Sequence, residues 1–513
     1  MQKICRQCQT NFEITDDDLK FYEKVSPIIA GKTFNIPAPT FCPDCRQQRR
    51  LAWRNERTLY SSRCAATGKP IISVFSPDKK YKVFATDYWY SDAWDGKEYG
   101  RDFDFSRSFF DQFKELLSVT PQLALSAVGN QNSDYANQIG WCKNCYMVFE
   151  ADYNESCFYG NNYVDSNFCM DCLQISNCEL CYECTDCKSC YNLKFSQDCQ
   201  NCSDSWFLKN CIGCSNCFGC VNLRNKQHYF FNQKCTKEEY GAKIAAYNLG
   251  SSATLQKLKK EFADFSQKFP QKYIHGVQNE NSTGDYLNNT KNCQNCFSVE
   301  NAQDSKYVSN SRNTRNVYDM TVFGSKKGAD FCYENHEIGE GVRNILFSDQ
   351  IWDGCYNILY SKLCVLNSHD LFGCVGLKHA SYCILNKQYT KEEYEKLVPR
   401  IIAHMKETTE WGEFFPASLS PFGYNETIAP LYFPLNKEEA LKKGFNWSDF
   451  EQPKPQVKRT IPAHEIPDTI ENINDDILDC AIECEITQKP FRIIKTELEF
   501  YRKNNIPLPQ KNS

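Results

Sequence analysis

Four cysteines near the amino terminus have the types and spacing of a metal site: Cys5 and Cys8 are separated by two residues, and Cys42 and Cys45 by Pro43 and Asp44. A two-residue gap lets a tight turn aim both thiolates at one ion. Two such pairs supply four sulfurs, which close a tetrahedral shell around Zn2+ and leave no position for a reacting water. The chemistry expected here is structural zinc binding rather than catalysis. A weaker second set, Cys64, Cys480 and Cys484, offers three thiols and falls one ligand short of a closed shell.

Other residues point to other chemistries. Past Cys45 the sequence predicts a helix, and spacings of three and four place Arg46, Arg50, Arg54 and Arg57 on one face with Arg49 beside them, a stripe suited to phosphate. Nucleic acid, or else another protein, is the partner this suggests. Asp349, Asp353 and Asp370, with His369, are candidate acids for a carbohydrate-active enzyme, but they lack a diagnostic spacing, and a noncatalytic chain is the preferred reading. The run Cys178, Cys181, Cys184, Cys187, Cys190 invites comparison with iron–sulfur ligands of an electron carrier. Ferredoxin-type spacing breaks to three residues and ends in proline, and this run does neither.

The residues Cys5-Arg6-Gln7-Cys8, Phe12, Ile14-Thr15, Phe21-Tyr22-Glu23-Lys24, Pro39 and Cys42-Pro43-Asp44-Cys45-Arg46 resemble the probable zinc-ribbon family of treble-clef type found in small bacterial proteins. The resemblance covers about the first tenth of the chain, with a longer insert from Val25 to Asn35. It implies Zn2+ as cofactor and no particular activity. As a whole the chain also resembles bacterial proteins with cysteine-rich repeats.

The C-terminus repeats this head in part. Cys480, Cys484, Phe491, Phe500-Tyr501-Arg502-Lys503 and Ile506-Pro507-Leu508-Pro509 echo it, without a second cysteine pair. The phrase from Cys64 to Ile71 matches that from Cys484 to Phe491 and marks a third relic of the same hairpin.

The elements that must carry these groups are written in a repeat. From Cys142 to Cys220 the cysteines keep a step of three, and the other residues on that step, such as Val148, Ala151, Gly160, Ser166, Ile175, Leu193, Ser196, Ser205 and Leu208, are small or apolar. Asn154 and Tyr163 are the awkward members. Cys157, Cys178, Cys199 and Cys220 recur every 21 residues, which predicts a solenoid with coils of about that length and those four stacked as one ladder. Asn177, Asn201, Asn210 and Asn216 before cysteines are poor helix formers and good corner formers, so the solenoid is expected to be parallel β. The step resumes from Leu287 through Cys293, Cys296, Val299 and Val308 to Phe323, changes phase near Gly328, and continues with Cys355, Cys364, Cys374 and Cys383. Thr236 with Glu239, and Thr390 with Glu393, form capping boxes that open a helix after each block.

The 513 residues carry a net charge of -5, which rules out a general positive coat, and the 31 cysteines are an odd number in a chain with no signal-like start. A reduced, cytoplasmic chain without a membrane span is expected. The expected fold class is mainly β with α additions: an N-terminal zinc ribbon, two parallel β-solenoid blocks each followed by capping helices, and a degenerate C-terminal zinc-ribbon-like hairpin. The segments run 1–60 (ribbon and basic helix), 61–128 (aromatic-rich, with a helix at 106–118), 129–235 (first block), 236–283 (helical spacer), 284–389 (second block), 390–412 (capping helix), 413–475 (proline-rich strap) and 476–513 (ribbon-like copy). Such a chain reads as a zinc-binding scaffold.

Overall fold

The computed structural model describes residues 1–322, 327–453 and 455–512. The chain forms two compact units, one from Met1–Leu125 with Lys272–Phe450, the other from Ser126–Gln271 with Glu451–Ser513. Each contains one β-solenoid block, so the predicted fold class is the observed one. Among the described residues no helix is long and apolar enough to cross a membrane.

The solenoid of the second unit runs from Ala127–Val128 to Tyr229–Phe230, and all coil-to-coil pairings are parallel. Its register corrects the expected coil. Phe158 pairs with Met170, Met170 with Tyr182, and Tyr182 with Lys194, so one coil is 12 residues and not 21. Four units of three residues make a coil, and each unit turns the chain through a corner. The corner residue is left-handed every time: Asn177, Leu180, Glu183, Asp186 and Ser189 have φ of 52, 57, 45, 53 and 53°. An L-residue there costs roughly 1–2 kcal/mol, least for Asn and Asp, which explains the asparagines that precede cysteines. Backbone pairing with both neighbouring coils offsets that cost, as where Glu179 N–H donates to Cys190 O at 3.0 Å and Leu180 N–H to Asn167 O at 3.1 Å.

The 21-residue beat is an alias of this geometry. Twenty-one is one coil plus three sides, so Cys157, Cys178, Cys199 and Cys220 lie on four different sides and do not stack. The true columns step by 12: Cys145, Cys157, Cys169 and Cys181 form one, and Cys178, Cys190, Cys202 and Cys214 another. All are buried.

Why cysteine fills these positions follows from hydrogen bonding. The N–H of an inward residue can point into the interior, and where the residue one coil earlier is cysteine or serine its side chain takes it. Cys184 N–H donates to Cys172 Sγ at 3.4 Å, Cys214 N–H to Cys202 Sγ at 3.4 Å, and Cys217 N–H to Ser205 Oγ at 2.9 Å. The thiol itself donates to the carbonyl two residues back, as from Cys157 to Glu155 O at 3.6 Å. Cysteine is thus small and apolar enough to pack, yet can satisfy a buried donor. Asn154 and Tyr163 do the same work: Asn154 Oδ1 accepts from Ser166 N–H at 2.9 Å and the Tyr163 hydroxyl from Cys172 N–H at 2.6 Å. Gly160 makes room for the tyrosine, since a Cβ there would stand 2.0 Å from its ring.

In the first unit the second block spans Gly276–Val277 to Lys387–Gln388. Coils of 11 and then 12 residues widen where Thr314 pairs with Ala329, fifteen on, narrow to thirteen, as Tyr356 with His369, and return to twelve, as His369 with Ser381. The phase change near Gly328 is this widening; Phe323, expected on the inward step, lies outside the described residues. After each block the predicted capping box forms and opens a helix, Lys237–Ala245 and Lys391–Glu407. The latter buries Val398, Ile401, Ile402 and Met405. The helix expected at 106–118 is Phe109–Val119, capped by Ser108. Its Phe109 and Phe113 pack with Tyr360, Phe372 and Phe415 in the core of this unit.

Candidate metal centre

The amino-terminal head begins with antiparallel strands Gln2–Ile4 and Asn11–Glu13. Between them the chain turns tightly: Cys5 N–H donates to Thr10 O at 2.9 Å and Gln9 N–H to Cys5 O at 3.0 Å, with Gln9 left-handed at φ 60°. This places Cys5 and Cys8 together. Helix α1 (Asp16–Val25), started by a capping box between Thr15 and Asp18, leads back to helix α2 (Pro43–Leu51). Cys42 is the N-cap of α2 with Pro43 in its first turn, so Cys42 and Cys45 face the first pair.

The four sulfurs lie within 4.8 Å of one another, with Cys8 Sγ and Cys42 Sγ 3.6 Å apart. A tetrahedron with metal–sulfur bonds of about 2.3 Å has edges of about 3.8 Å, so the donor set fits a four-thiolate ion. Cys42 N–H donates to Cys5 Sγ at 3.3 Å and ties the two pairs together. Burial would raise Cys8, but hydrogen bonding with the Thr10 hydroxyl and backbone outweighs it and brings the thiol down to about 6. Burial pushes Cys42 up to about 11 and raises Cys45 further, with the neighbouring sulfurs adding repulsion. A cation among them removes that repulsion. Among the described residues this is the only set of three or more cysteine, histidine or acidic ligand atoms gathered this closely.

The second candidate set is divided between the units: Cys64 belongs to the first, and Cys480 and Cys484 to the second. What the structure does show is kinship. Cys64 N–H donates to Lys69 O with Gly68 N–H to Cys64 O, and Cys484 N–H to Lys489 O with Gln488 N–H to Cys484 O, the same turn as at Cys5. In the C-terminal copy Glu485 N–H donates to Gln510 O at 3.1 Å, as Arg6 N–H does to Thr40 O at 3.0 Å. By that correspondence Thr487 stands where the head has Cys8 and Asn512 where it has Cys42. Their side chains are 3.5 Å apart, hydroxyl to amide oxygen. Burial would raise Cys484, but hydrogen bonds from Thr487 and from the backbone of Asn512 and Ile486 bring it to about 7.

The arginine stripe is corrected outright. Arg46, Arg49, Arg50 and Arg54 are 1 to 4% exposed, and only the Arg57 side chain, 47% exposed, reaches solvent. Arg46 pairs with Asp319 at 2.9 Å, Arg49 with Glu334 at 2.8 Å and Glu413 at 3.0 Å, and Arg50 with Asp319 at 3.4 Å. Arg54 pairs with Glu56 at 2.8 Å and with Glu337. Asp319, Glu334 and Glu337 sit on solenoid strands Thr314–Thr321 and Ala329–Ile338, so α2, and Arg54 beyond its end at Leu51, are bolted to the coil rather than open to phosphate; Arg54 and Arg57 lie past the helix and not on its face. Sequence spacing shows the stripe but not its distant counter-charges.

The candidate acids do not converge either. Asp349 is fully buried, bonded to His336 Nδ1 at 2.6 Å and to Lys362; burial would raise its carboxyl, but Lys362 and His336 together hold it below the ordinary range. Asp353 is exposed, and Asp370 bonds His369 at 2.8 Å and Asn357 at 3.0 Å. Cys178, Cys181, Cys184 and Cys187 take the four sides of one coil and do not gather around a cluster. Sequence reasoning missed the buried network of His336, Glu337, Asp349 and Lys362, which lies off the inward step and is buried by Trp53 and Arg54 rather than by the coil interior, so the step of three gave no signal for it. No protein-family model matches the chain, and no curated protein matches it.

Proposed function

We propose that the protein is a noncatalytic zinc-binding scaffold or adaptor, presenting its solenoid surface to a protein partner. The observation that carries this is the coupling of the four-cysteine head to the coil. The shell uses four protein sulfurs, which suits structural Zn2+, and the helix capped by Cys42 carries arginines locked to Asp319 and Glu334, with Arg54, just past its end, paired to Glu337. The residues that would hold the ion are Cys5, Cys8, Cys42 and Cys45, and its role there is to fix α2. A protein is preferred to nucleic acid because the arginines suited to phosphate are spent internally. A carbohydrate-active site is disfavoured because Asp349 is sealed and already paired.

The test is metal analysis combined with unfolding. Zinc at one equivalent per chain, lost together with stability in Cys42→Ser, supports the reading. Retention of DNA or RNA that weakens steeply with salt overturns the choice of partner, and zinc that exchanges freely without any loss of stability overturns the structural role.

A further inference from the structure

Twelve-residue coils stack sulfurs in columns, and the columns meet. Cys145, Cys157, Cys169 and Cys181 occupy one side of four successive coils; Cys178, Cys190, Cys202 and Cys214 occupy the adjacent side. Side-chain interactions run along each column, from Cys157 to Cys169 and from Cys178 to Cys190. They also cross the corner, where Cys181 contacts Cys178 and Cys184 as well as Cys169. The result is a continuous thread of thiols inside the second unit.

We propose that this thread is a binding site for a soft monovalent d10 cation of the Cu(I) class, with Cys181 at its centre. Geometry selects the class. No three of these sulfurs converge as the head's do, so a tetrahedral divalent ion has no shell here. Neighbouring coils are spaced by about 4.8 Å, and a linear sulfur–metal–sulfur link with bonds of about 2.3 Å spans about 4.6 Å. Two-coordinate thiolate is the arrangement a column offers, and soft sulfur ligands select Cu(I). Charge balance selects monovalence. Each cation replaces one S–H proton, which leaves to solvent, and the freed sulfur pair bridges successive ions; nothing is oxidised or reduced and the interior stays neutral.

Two further observations show that the interior sulfurs already act as acceptors beside a buried cation. Cys172 and Cys202 each accept a backbone N–H, the bond that Cys5 accepts in the head. Lys194 is 2% exposed and bonds only neutral acceptors, Leu180 O at 2.6 Å and Asn192 Oδ1 at 3.0 Å. Among the described residues it pairs with no carboxylate; burial lowers its ammonium below the ordinary range, and the neighbouring sulfurs of Cys181, Cys184, Cys169 and Cys172 are the groups that oppose this.

The closed interior means that metal enters as the coils form. The full chain is therefore refolded from denaturant without oxygen, with Cu(I) supplied as its acetonitrile complex, then washed with a Cu(I) chelator. The comparison is the variant Cys169→Ser, Cys178→Ser, Cys181→Ser, Cys184→Ser. Serine already occupies inward positions, where Ser205 accepts Cys217 N–H at 2.9 Å and donates to Ser203 O at 2.7 Å, so the variant keeps the coil while losing soft ligands. The head's four cysteines are common to both chains and cancel. Expected is at least twofold more retained copper in the wild type, with two-coordinate copper–sulfur scattering and unchanged circular dichroism. Equal copper in both chains overturns the proposal. Should the variant misfold, the wild type alone decides: copper no higher than the head's own four thiols hold, or only three- and four-coordinate copper, overturns it.

Discussion

Arg49 and Glu334, 285 positions apart, form a two-bond ion pair in which one guanidinium nitrogen meets both carboxylate oxygens at 2.8 and 3.0 Å, with both side chains buried. Glu334 Oε2 also accepts Phe414 N–H at 2.9 Å. Removing Arg49 leaves buried Glu334 with only Arg50, at 3.6 Å, and the Phe414 N–H as partners. Arg49→Ala is expected to destabilise the first unit by about 3–5 kcal/mol, read as a lower denaturant midpoint. A change within experimental scatter would show the pair to be solvated.

Cys42→Ser removes a sulfur ligand but not the start of α2, because the Cys42 side chain makes no capping bond and serine is itself a good N-cap. Zinc content is expected to fall below half an equivalent. Because the ligands must lose protons to bind, zinc affinity should also drop on acidification. Cys484→Ser should leave zinc content unchanged, since the C-terminal copy offers Thr487 and Asn512 in place of two thiols. Elemental analysis of both variants after gel filtration checks this.

The interior cysteines should resist thiol reagents in native protein, while exposed Cys8 reacts when metal is removed. Labelling followed by peptide mapping tests it, and rapid modification of Cys157 or Cys181 would contradict the closed coil. Cys157→Ser should cost about 1 kcal/mol or less, because the hydroxyl makes the same two bonds. Cys157→Asp should cost several kcal/mol as an unpaired buried charge.

Glu497 sets a pH dependence in the second unit. Burial raises its carboxyl from 4.5 to about 7, against hydrogen bonds from Ile494 N–H and the hydroxyls of Tyr159 and Tyr501. The folded state therefore prefers the protonated acid. Its contribution is complete below pH 4.5 and is lost as pH rises through 7, a change of about 3 kcal/mol by linkage. Glu497→Gln should flatten that slope and be more stable than wild type at about pH 8. A parallel pH profile in the two proteins would refute the assignment.

The four-cysteine head, the left-handed asparagine corners, the capping boxes at Thr236 and Thr390, and the relics at Cys64 and Cys484 were all legible in the sequence, because each is set by residues within a few positions of one another or by a repeated short phrase. The step of three was legible for the same reason. Coil length was not: a period of 21 and a coil of 12 share that step, and only the pairing of Phe158 with Met170 distinguishes them. The arginines after Cys45 show the limit most clearly. Their spacing describes a helical face, of which only Arg46, Arg49 and Arg50 lie on α2, and whether that face meets water or carboxylates depends on Asp319 and Glu334, whose approach is decided by how the coil and helix pack. Local hydrogen bonding is written in neighbouring residues; the partner of a charge hundreds of positions away exists only once the chain has folded.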